Sequence, residues 1–272
     1  MSDIVIISPT ECVMLAPTDA GFAHGFGLFE TMRYDAGRLY FWQDHWARLT
    51  RSARHFTLDL PAEAAVLRAL RQLVTSAAMQ SGILKLSLLK HAEGSCLYVY
   101  ARPPLPAPDR RCLWLDTDCP IGRRSLLAGH KTHNYMEAMC LLQRAREQGF
   151  YDALRLDDAG MLAETTTANL FFVRDGCLYT PALDTGILPG VTRAALLRAT
   201  ELGIVEGRFT PDDLFEAEAV FVTNATHGVQ IVEGIDGFSG DRRLDLTGAS
   251  QACQAIESVL VRAQAERAYQ LI

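Results

Sequence analysis

A proline-rich segment near the middle of the chain, PPLPAPDRR, places the strongest constraint on how this sequence folds. It holds four prolines between Pro103 and Arg111. Proline has no backbone N–H and its ring disrupts a helix, so the segment forbids a helix and disfavours a central strand. The 272 residues are 49% hydrophobic, which is enough apolar side chain for two cores. We therefore predict two α+β domains of similar size, residues 1–118 and 131–272, with residues 119–130 connecting them.

Periodic patterns on both sides of the prolines support mixed α+β domains. Apolar residues recur at the spacing of a helix in several segments, and these predict helices at residues 42–56, 61–80, 134–148, 192–202 and 248–268. Shorter apolar runs bounded by turn residues predict strands at residues 83–89, 96–101, 112–116, 152–156, 169–173, 177–180, 204–209, 219–223 and 229–232.

Charge and cysteine content exclude several classes of protein. The formal net charge is -6 and no long basic run occurs, so we expect no nucleic-acid partner. The seven cysteines are scattered without a CxxC spacing, so we expect reduced thiols and no metal site. The sequence shows neither the pattern of a secretion signal nor an apolar run long enough for a bilayer. We therefore expect a cytoplasmic protein with no membrane partner.

The segment GHKTHNYMEA contains a lysine, Lys131, just before a predicted helix. A lysine amine becomes a nucleophile only when it loses its proton, which desolvation or neighbouring cations favour. The ordinary alternative is a solvated lysine that precedes a helix. The segment alone does not decide between these two interpretations.

Three further segments carry polar groups of the kind that bind a phosphorylated ring. In LPGVTR, the start of a helix at Val191 and the Thr192 hydroxyl suit a phosphate, although many helices begin this way without a ligand. In ETTTAN, Glu164 is either a turn residue or a partner for a cationic ring nitrogen. In QDHWARL, Arg48 either clamps a phosphate or forms a surface ion pair. Together with a nucleophilic lysine, these groups match the requirements of pyridoxal phosphate.

The order of these motifs along the chain resembles the class IV, or fold-type IV, aminotransferase superfamily of pyridoxal-phosphate enzymes. The resemblance covers about residues 18–240 and rests on AHGFGLFET, HWARL, KTHNY, the E-x4-N spacing, LPGVTR and VTNAT. It implies a two-domain α+β fold of the D-amino acid aminotransferase type, with the active site in the interdomain cleft. It also implies a homodimer that acts on a small amine or amino acid.

The resemblance also implies roles for particular residues. Lys131 would bind the cofactor covalently and move the proton at the substrate carbon, and Glu164 would keep the pyridine nitrogen protonated. Arg48 and the start of the helix at Val191 would hold the phosphate. The full set of implied cofactor-binding residues is Arg48, Lys131, Tyr135, Glu164, Asn169, Val191, Thr192, Asn224 and Ala225.

Two motifs favour one branch of the superfamily. LFETMR and the TNA of residues 223–225 look most like 4-amino-4-deoxychorismate lyases, which release pyruvate and form 4-aminobenzoate for folate biosynthesis. Many relatives carry an arginine–glycine pair after the strand at 83–89, whereas this chain has Lys90 and His91 there. We predict Thr31, Lys90 and His91 as substrate-binding residues. The alternatives are an aminotransferase for branched-chain or D-amino acids with a 2-oxo acid acceptor, and a member that binds the cofactor without turnover.

Overall fold

The structure is a computed structural model that describes residues 3–7, 15–103, 111–238, 242–246 and 250–272. Its strands are, in chain order, β1 (Asp3–Ile7), β2 (Gly27–Asp35), β3 (Arg38–Tyr40), β4 (Ser81–His91), β5 (Gly94–Arg102), β6 (Cys112–Ile121), β7 (Asp152–Asp157), β8 (Leu162–Thr165), β9 (Asn169–Arg174), β10 (Cys177–Pro181), β11 (Val205–Gly207), β12 (Ala219–Asn224), β13 (Gly228–Val232), β14 (Gly234–Phe238), β15 (Arg242–Asp245) and β16 (Ala268–Gln270). Its α-helices are α1 (Ala20–Ala23), α2 (Trp42–His55), α3 (Glu63–Ser76), α4 (Met136–Glu147), α5 (Val191–Arg198) and α6 (Ser250–Glu266). Short 3-10 helices cover Leu183–Thr185, Thr200–Leu202 and Pro211–Glu216.

The chain forms two compact units that interleave along the sequence. The first unit comprises Met1–Pro106, His130–Tyr135 and Gln264–Ile272, and the second comprises Ala107–Gly129 and Met136–Ala263. The short segment His130–Tyr135 returns to the first unit because its backbone bonds to the start of β2. The domain boundaries expected from the sequence, 1–118, 119–130 and 131–272, stay a prediction.

The first unit is built on a six-stranded sheet in the order β1-β5-β4-β2-β3-β16. β1 pairs with β5 in parallel, and the other neighbours pair antiparallel. Side chains alternate between the two faces of each strand. On one face, Leu84, Leu86 and Leu88 of β4 are buried against a core that includes Trp42 of α2 and Leu70 of α3.

The opposite face of this sheet is more polar, and we call it the second face. Thr31 of β2 and Tyr100 of β5 both pair directly with Lys85 of β4, so the three side chains share this face. Ser87 lies two residues further along β4, and its hydroxyl is 3.3 Å from that of Tyr100. The sheet therefore separates an apolar core on one side from a row of cationic, hydroxyl and aromatic groups on the other.

The second unit is built on a larger sheet with the strand path β11-β10-β9-β8-β7-β6-β14-β15, and β12 pairs with both β9 and β13. Its core contains Leu154, Leu170, Phe172 and Val220, all fully buried. β8 and β9 pair at Glu164 and Asn169. The E-x4-N spacing therefore places both polar residues side by side at the end of a tight strand connection.

Most of the predicted elements are confirmed, with differences at their ends. The predicted helices at 42–56, 61–80, 134–148 and 248–268 correspond to α2, α3, α4 and α6. The prediction that a strand ends at residue 116 was wrong, because β6 continues to Ile121. The helix predicted at 192–202 was too long, since α5 ends at Arg198 and a 3-10 turn follows. Strands β1 to β3, β8 and β14 to β16 were not predicted. Among the described residues, no helix is long and apolar enough to cross a membrane.

Candidate active site

Lys131 lies in an extended segment that runs along the start of β2. The Phe29 amide donates to the Lys131 carbonyl at 2.9 Å, and the His133 amide donates to the Gly27 carbonyl at 2.9 Å. A Cβ atom at Gly27 would lie 2.6 Å from the Leu88 carbonyl oxygen and 3.0 Å from the His133 ring. Only glycine therefore allows this close approach, which fixes the point from which the Lys131 side chain extends.

Two aromatic rings surround the amine of Lys131. The Nζ atom is 4.4 Å from the ring centroid of Phe29 and 5.5 Å from that of Tyr135. The two rings meet edge to face, with centroids 5.5 Å apart and an interplanar angle of 84°. Aromatic faces attract a cation and exclude water from its surroundings. Tyr135, predicted to flank the cofactor, thus lies beside the predicted cofactor lysine.

Arg48, the predicted phosphate-binding residue, is part of a buried charged cluster in the first unit. Its Nε and Nη2 atoms donate to the two carboxylate oxygens of Glu30 at 2.8 and 2.6 Å. The Nδ1 atom of His45 is 2.7 Å from the same carboxylate. All three side chains are at least nine-tenths buried. A buried carboxylate needs such partners, because removing a charge from water costs several kcal/mol.

The cluster lowers the pKa of both Glu30 and His45, for different reasons. Burial alone raises the pKa of Glu30, but the charge and hydrogen bonds of Arg48, with help from His45, lower it to about 2. Burial lowers the pKa of His45, partly opposed by Glu30. We therefore assign a neutral His45 that donates from Nδ1 to an ionised Glu30. Its Nε2 atom is buried and has no hydrogen-bond partner among the described residues.

The three predicted substrate-binding residues lie at different places on the first unit's sheet. Thr31 is on the second face, directly opposite Lys85. Lys90 follows Leu88 at a spacing of two residues and therefore lies on the same face as the core-facing leucines, opposite Lys85. The His91 Nδ1 atom is 2.9 Å from an Asp19 carboxylate oxygen. The structure thus brings Thr31 and His91, but not Lys90, to the face that carries Lys85.

Lys85 lies on the second face, between Thr31 and Tyr100. Its Nζ atom is 4.7 Å from the ring centroid of Phe29 and 5.8 Å from that of Tyr100. Burial, with a contribution from the charge of Lys85, lowers the pKa of His133 to about 4, so this imidazole is neutral. Phe29 therefore has two amines over its ring, those of Lys85 and Lys131.

In the second unit, Glu164 and Asn169 hold the loop that precedes α5. The Glu164 carboxylate accepts from the Asn169 side-chain amide at 2.8 Å and from the Leu188 backbone amide at 3.0 Å. The Asn169 amide also donates to the Leu188 carbonyl at 2.9 Å. Both predicted cofactor residues therefore fix the LPG turn, whose backbone leads directly into the first turn of α5.

The helix start at Val191 and Thr192 depends on the preceding glycine. A Cβ atom at Gly190 would lie 1.9 Å from the Asn169 side-chain oxygen, so no larger residue fits there. Val191 and Thr192 are both buried and begin α5. The first amides of a helix have no acceptor within the helix and are available to an anion.

The predicted phosphate-side loop at Asn224 and Ala225 follows β12. Thr223 pairs with Asn169 across β12 and β9, which brings this loop beside the Glu164 cluster. The Asn224 side-chain oxygen accepts from the Thr226 amide and hydroxyl at 3.1 and 2.9 Å, so it shapes the turn in which Ala225 lies. The Thr223 hydroxyl is buried and has no partner among the described residues.

The buried carboxylate of Asp152 holds the ETTTAN segment in place through hydrogen bonds. Asp152 accepts hydrogen bonds from the hydroxyl groups of Thr165, Thr166 and Thr167. Burial raises the pKa of Asp152, although these hydroxyls oppose the shift. The run of three threonines is therefore explained by packing around one carboxylate, and it sets the connection between β8 and β9.

The donor groups present suit pyridoxal phosphate. This cofactor needs an amine for its aldehyde, a carboxylate for its ring nitrogen, and N–H or O–H donors for its phosphate. Lys131 in the first unit would supply the amine, and Glu164 in the second unit would supply the carboxylate. The Thr223 hydroxyl and the first backbone amides of α5 are the O–H and N–H donors that a phosphate needs. A buried hydroxyl without a partner costs free energy that a bound phosphate oxygen would offset, so the unpartnered Thr223 hydroxyl supports this fit.

Three residues of the first unit have contacts at or beside the predicted site residues but no role in the predictions from sequence: Glu30, His45 and Lys85. A signal for Glu30 was present, because it lies two residues from both Leu28 and Met32 in the same strand. At that spacing all three side chains point to one face, and the apolar residues place that face against the core. A carboxylate on such a face requires a cationic partner, and Arg48 was already a candidate. A signal for Lys85 was also present, because Lys85 and Ser87 alternate with Leu84, Leu86 and Leu88 and so point to the face opposite the leucines.

We predict that Glu30→Gln reduces stability in a pH-dependent way. The lowered pKa of Glu30 means that its contribution, about 3 kcal/mol for the shift from 4.5 to about 2, is present above about pH 4.5. That contribution is lost as the pH falls through about 2. The difference in unfolding free energy between wild type and Glu30→Gln, measured with urea, should therefore shrink between about pH 5 and pH 2. Glu93→Gln, at an exposed position, serves as control. A pH-independent difference would contradict an ionised Glu30.

Comparison with known proteins places the chain in a family. The sequence profile of amino-transferase class IV matches residues 27–235. The D-alanine aminotransferase of Bacillus licheniformis is 29% identical over 236 residues, covering 80% of this chain and 82% of the relative. The aminodeoxychorismate lyase of Bacillus subtilis is 27% identical over 233 residues, covering 78% of each chain.

A solved structure agrees with these sequence matches. The crystal structure of 4-amino-4-deoxychorismate lyase from Pseudomonas aeruginosa superposes with a TM-score of 0.76 at 25% sequence identity, covering 93% of this chain and 96% of that one. The two-sheet α+β architecture is thus the class IV aminotransferase fold. The chain belongs to the amino-transferase class IV family and is a pyridoxal-phosphate-dependent enzyme of the lyase or transaminase type.

Proposed function

We propose that this enzyme is a 4-amino-4-deoxychorismate lyase, which releases pyruvate and forms 4-aminobenzoate. The observation that carries the proposal is the pair of amines over the Phe29 ring, with Lys131 Nζ at 4.4 Å and Lys85 Nζ at 4.7 Å from its centroid. Both products are acids, so the substrate needs a cation as well as a group that reacts with its amine. The ring of the substrate carries an amine on one side and a carboxylate on the other. Lys131 would meet the side with the amine, and Lys85 would meet the side with the carboxylate.

The surroundings of Lys85 support a role in binding a carboxylate. Among the described residues no acidic side chain forms an ion pair with it, and the Thr31 and Tyr100 side chains share its face. A charge-assisted hydrogen bond from an ammonium to a carboxylate is about twice as strong as a neutral one. Lys85 would hold the ring carboxylate, and the hydroxyl groups of the second face would orient it.

The residues of the chain then have distinct tasks in the elimination. When bound, pyridoxal phosphate supplies a ring that accepts the electrons released at the substrate carbon. Lys131 Nζ takes the proton from the ring carbon of the substrate. Glu164, fixed by Asn169 and the Leu188 amide, keeps a proton on the pyridine nitrogen. Phe29 and Tyr135 limit the access of water to the Lys131 amine, and the gain of aromaticity in the product drives the departure of pyruvate.

The remaining assignments from the resemblance belong to the same proposal. Arg48, with Val191, Thr192, Asn224 and Ala225, would bind the phosphate. The Glu30 carboxylate would hold the Arg48 guanidinium in a fixed orientation through its two hydrogen bonds. We also propose a homodimer in the cytoplasm, and light scattering of the purified enzyme tests the first of these.

A second candidate is an aminotransferase that acts on branched-chain or D-amino acids with a 2-oxo acid acceptor. The 29% identity to the D-alanine aminotransferase of Bacillus licheniformis supports it. Lys90 and His91 stand where many relatives have an arginine–glycine pair, and a lysine does not reproduce the two parallel hydrogen bonds of arginine.

The decisive experiment measures both reactions with the same preparation. The purified enzyme is given 4-amino-4-deoxychorismate, and 4-aminobenzoate is followed by fluorescence. In parallel it is given D- and L-amino acids with 2-oxoglutarate or pyruvate, and the new amino acid is measured by chromatography. We expect formation of 4-aminobenzoate without any 2-oxo acid. Amino transfer that depends on the 2-oxo acid, without 4-aminobenzoate, would establish the second candidate instead.

The role of Lys131 predicts a defined labelling pattern. The chain has three lysines, Lys85, Lys90 and Lys131, so borohydride treatment of the enzyme with its cofactor should label only the peptide that contains Lys131. Lys131→Ala should still bind the cofactor without a covalent bond. Its kcat should fall by at least about 100-fold, because a positioned proton-transfer group contributes about 10²–10⁴-fold. Label on another lysine, or undiminished turnover of the variant, would contradict the assignment.

The role of Lys85 predicts a loss of substrate affinity. Removing a charged hydrogen-bond donor costs about 1.5–3 kcal/mol, so Lys85→Met should lower kcat/KM about 10- to 100-fold while the cofactor spectrum is unchanged. Lys90→Met is the matched control, because Lys90 lies five residues away on the other face of β4 and should leave kcat/KM near wild type. The reverse result would assign carboxylate binding to Lys90.

A further inference from the structure

A groove of about 840 Å³ in the first unit lies beside α2 and the residue before Lys131. Its walls include four basic side chains, those of Arg51, Arg54, His55 and His130. Trp46 forms an aromatic wall, and none of the residues that line the groove is acidic. None of the functional assignments above uses this groove.

The positive charge of the groove is not compensated within the described parts of the chain. Neither Arg51 nor Arg54 forms an ion pair there, and both are exposed. They are three residues apart on one helix, so they are neighbours on its surface and repel each other. The helix dipole accounts for Arg54 and His55, which occupy the last turn of α2. It does not account for Arg51, one turn earlier.

Two polar groups around the groove point to a bound ligand. The Thr50 hydroxyl is buried, lines the groove and has no hydrogen-bond partner among the described residues. His130 is fixed by a 2.8 Å hydrogen bond between its Nδ1 atom and the Ser52 hydroxyl. This leaves Nε2 of His130 for another partner. Buried hydroxyl groups usually have a hydrogen-bond partner, so the Thr50 hydroxyl suits an acceptor that enters the groove.

The two imidazoles stand together at one end of the groove. The rings of His55 and His130 are stacked, with centroids 4.5 Å apart and an interplanar angle of 22°. Burial, followed by the charges of His55 and Arg51, lowers the pKa of His130. His130 is therefore held as a neutral imidazole beside the two arginines, mainly because it is partly buried.

We propose that this groove binds a small oxyanion with two negative charges, held by the guanidinium groups of Arg51 and Arg54 and by the imidazoles of His55 and His130. Phosphate groups and dicarboxylates share this chemistry. Guanidinium groups bind both through paired hydrogen bonds. The Thr50 hydroxyl would donate to the same anion. The proposal is independent of the reaction that the enzyme catalyses.

An anion bound in the groove would affect the cofactor lysine through the residue that precedes it. His130 is the residue before Lys131, and its side chain is bonded to Ser52 of α2. Arg48, which binds Glu30, lies one turn before Ser52 on the same helix. An anion that holds α2 and His130 together would therefore restrain the backbone from which Lys131 extends, and would regulate the enzyme from outside its substrate site.

The test uses the enzyme with its cofactor bound, so that the phosphate site of the cofactor is already filled. Inorganic phosphate and malonate are titrated separately at constant ionic strength, with sodium chloride as the monovalent control, and binding is measured by calorimetry. We expect saturable binding of at least one dianion and none of chloride. If phosphate and malonate both bind and compete, the groove recognises the shared charge. If only one of the two binds, the groove is selective for that class of anion, either phosphate or dicarboxylate.

Matched variants locate the binding. Arg51→Met combined with Arg54→Met should weaken binding of the dianion at least about tenfold. Arg68→Met, which removes an exposed arginine from α3, should leave it unchanged. Circular dichroism and the cofactor absorbance confirm that each variant is folded and loaded. The proposal is overturned if no dianion binds in preference to chloride, or if the double variant binds it as well as wild type.

Discussion

The buried pairing of Glu30 with Arg48 is the interaction on which the arrangement of the first unit depends. Two hydrogen bonds of 2.8 and 2.6 Å join a strand of the sheet to the helix that covers it. Charges buried this deeply are tolerated only when each finds its partner, so the pair admits one register between β2 and α2. Phe29 is the next residue on the strand and points to the other face. The position of the Lys131 amine over the Phe29 ring therefore follows from the packing on the core side.

In the second unit, too, a carboxylate with polar partners fixes part of the structure, here the backbone before a helix. Glu164 and Asn169 are paired across β8 and β9, and their side chains bind the backbone of Leu188. Gly190 lets that backbone pass so close to Asn169 that a methyl group would not fit. The sequence motifs E-x4-N and LPG are thus one structure, in which a carboxylate and an amide hold the start of a helix. Asp152 stabilises it from below through the hydroxyl groups of the three threonines.

Membership of the class IV family determines the cofactor but leaves the reaction open, because the lyases and the aminotransferases share the residues that hold the ring. What differs is the surface that meets the rest of the substrate. In this chain we propose that this surface is the second face of the first unit's sheet, where Lys85 lies between Thr31 and Tyr100. Lys90, predicted from the position of the arginine–glycine pair in relatives, extends from the other face of the same strand. The groove beside α2 carries a further set of basic side chains, and none of them is among the residues proposed to contact the substrate.

The sequence by itself determined the superfamily, the cofactor and most of the elements, because each rests on short motifs and local periodicity; the cofactor roles of Lys131, Arg48, Glu164, Asn169 and Thr192 stay predictions. It did not reveal that Lys131 belongs to the same compact unit as β2, since that depends on hydrogen bonds between segments about 100 residues apart in the chain. It also did not reveal the partner of Arg48 or the aromatic rings beside Lys85. The alternation of apolar and polar residues indicates which face of a strand a side chain takes, but which distant group it meets there was decided only by the register and packing of the folded sheet.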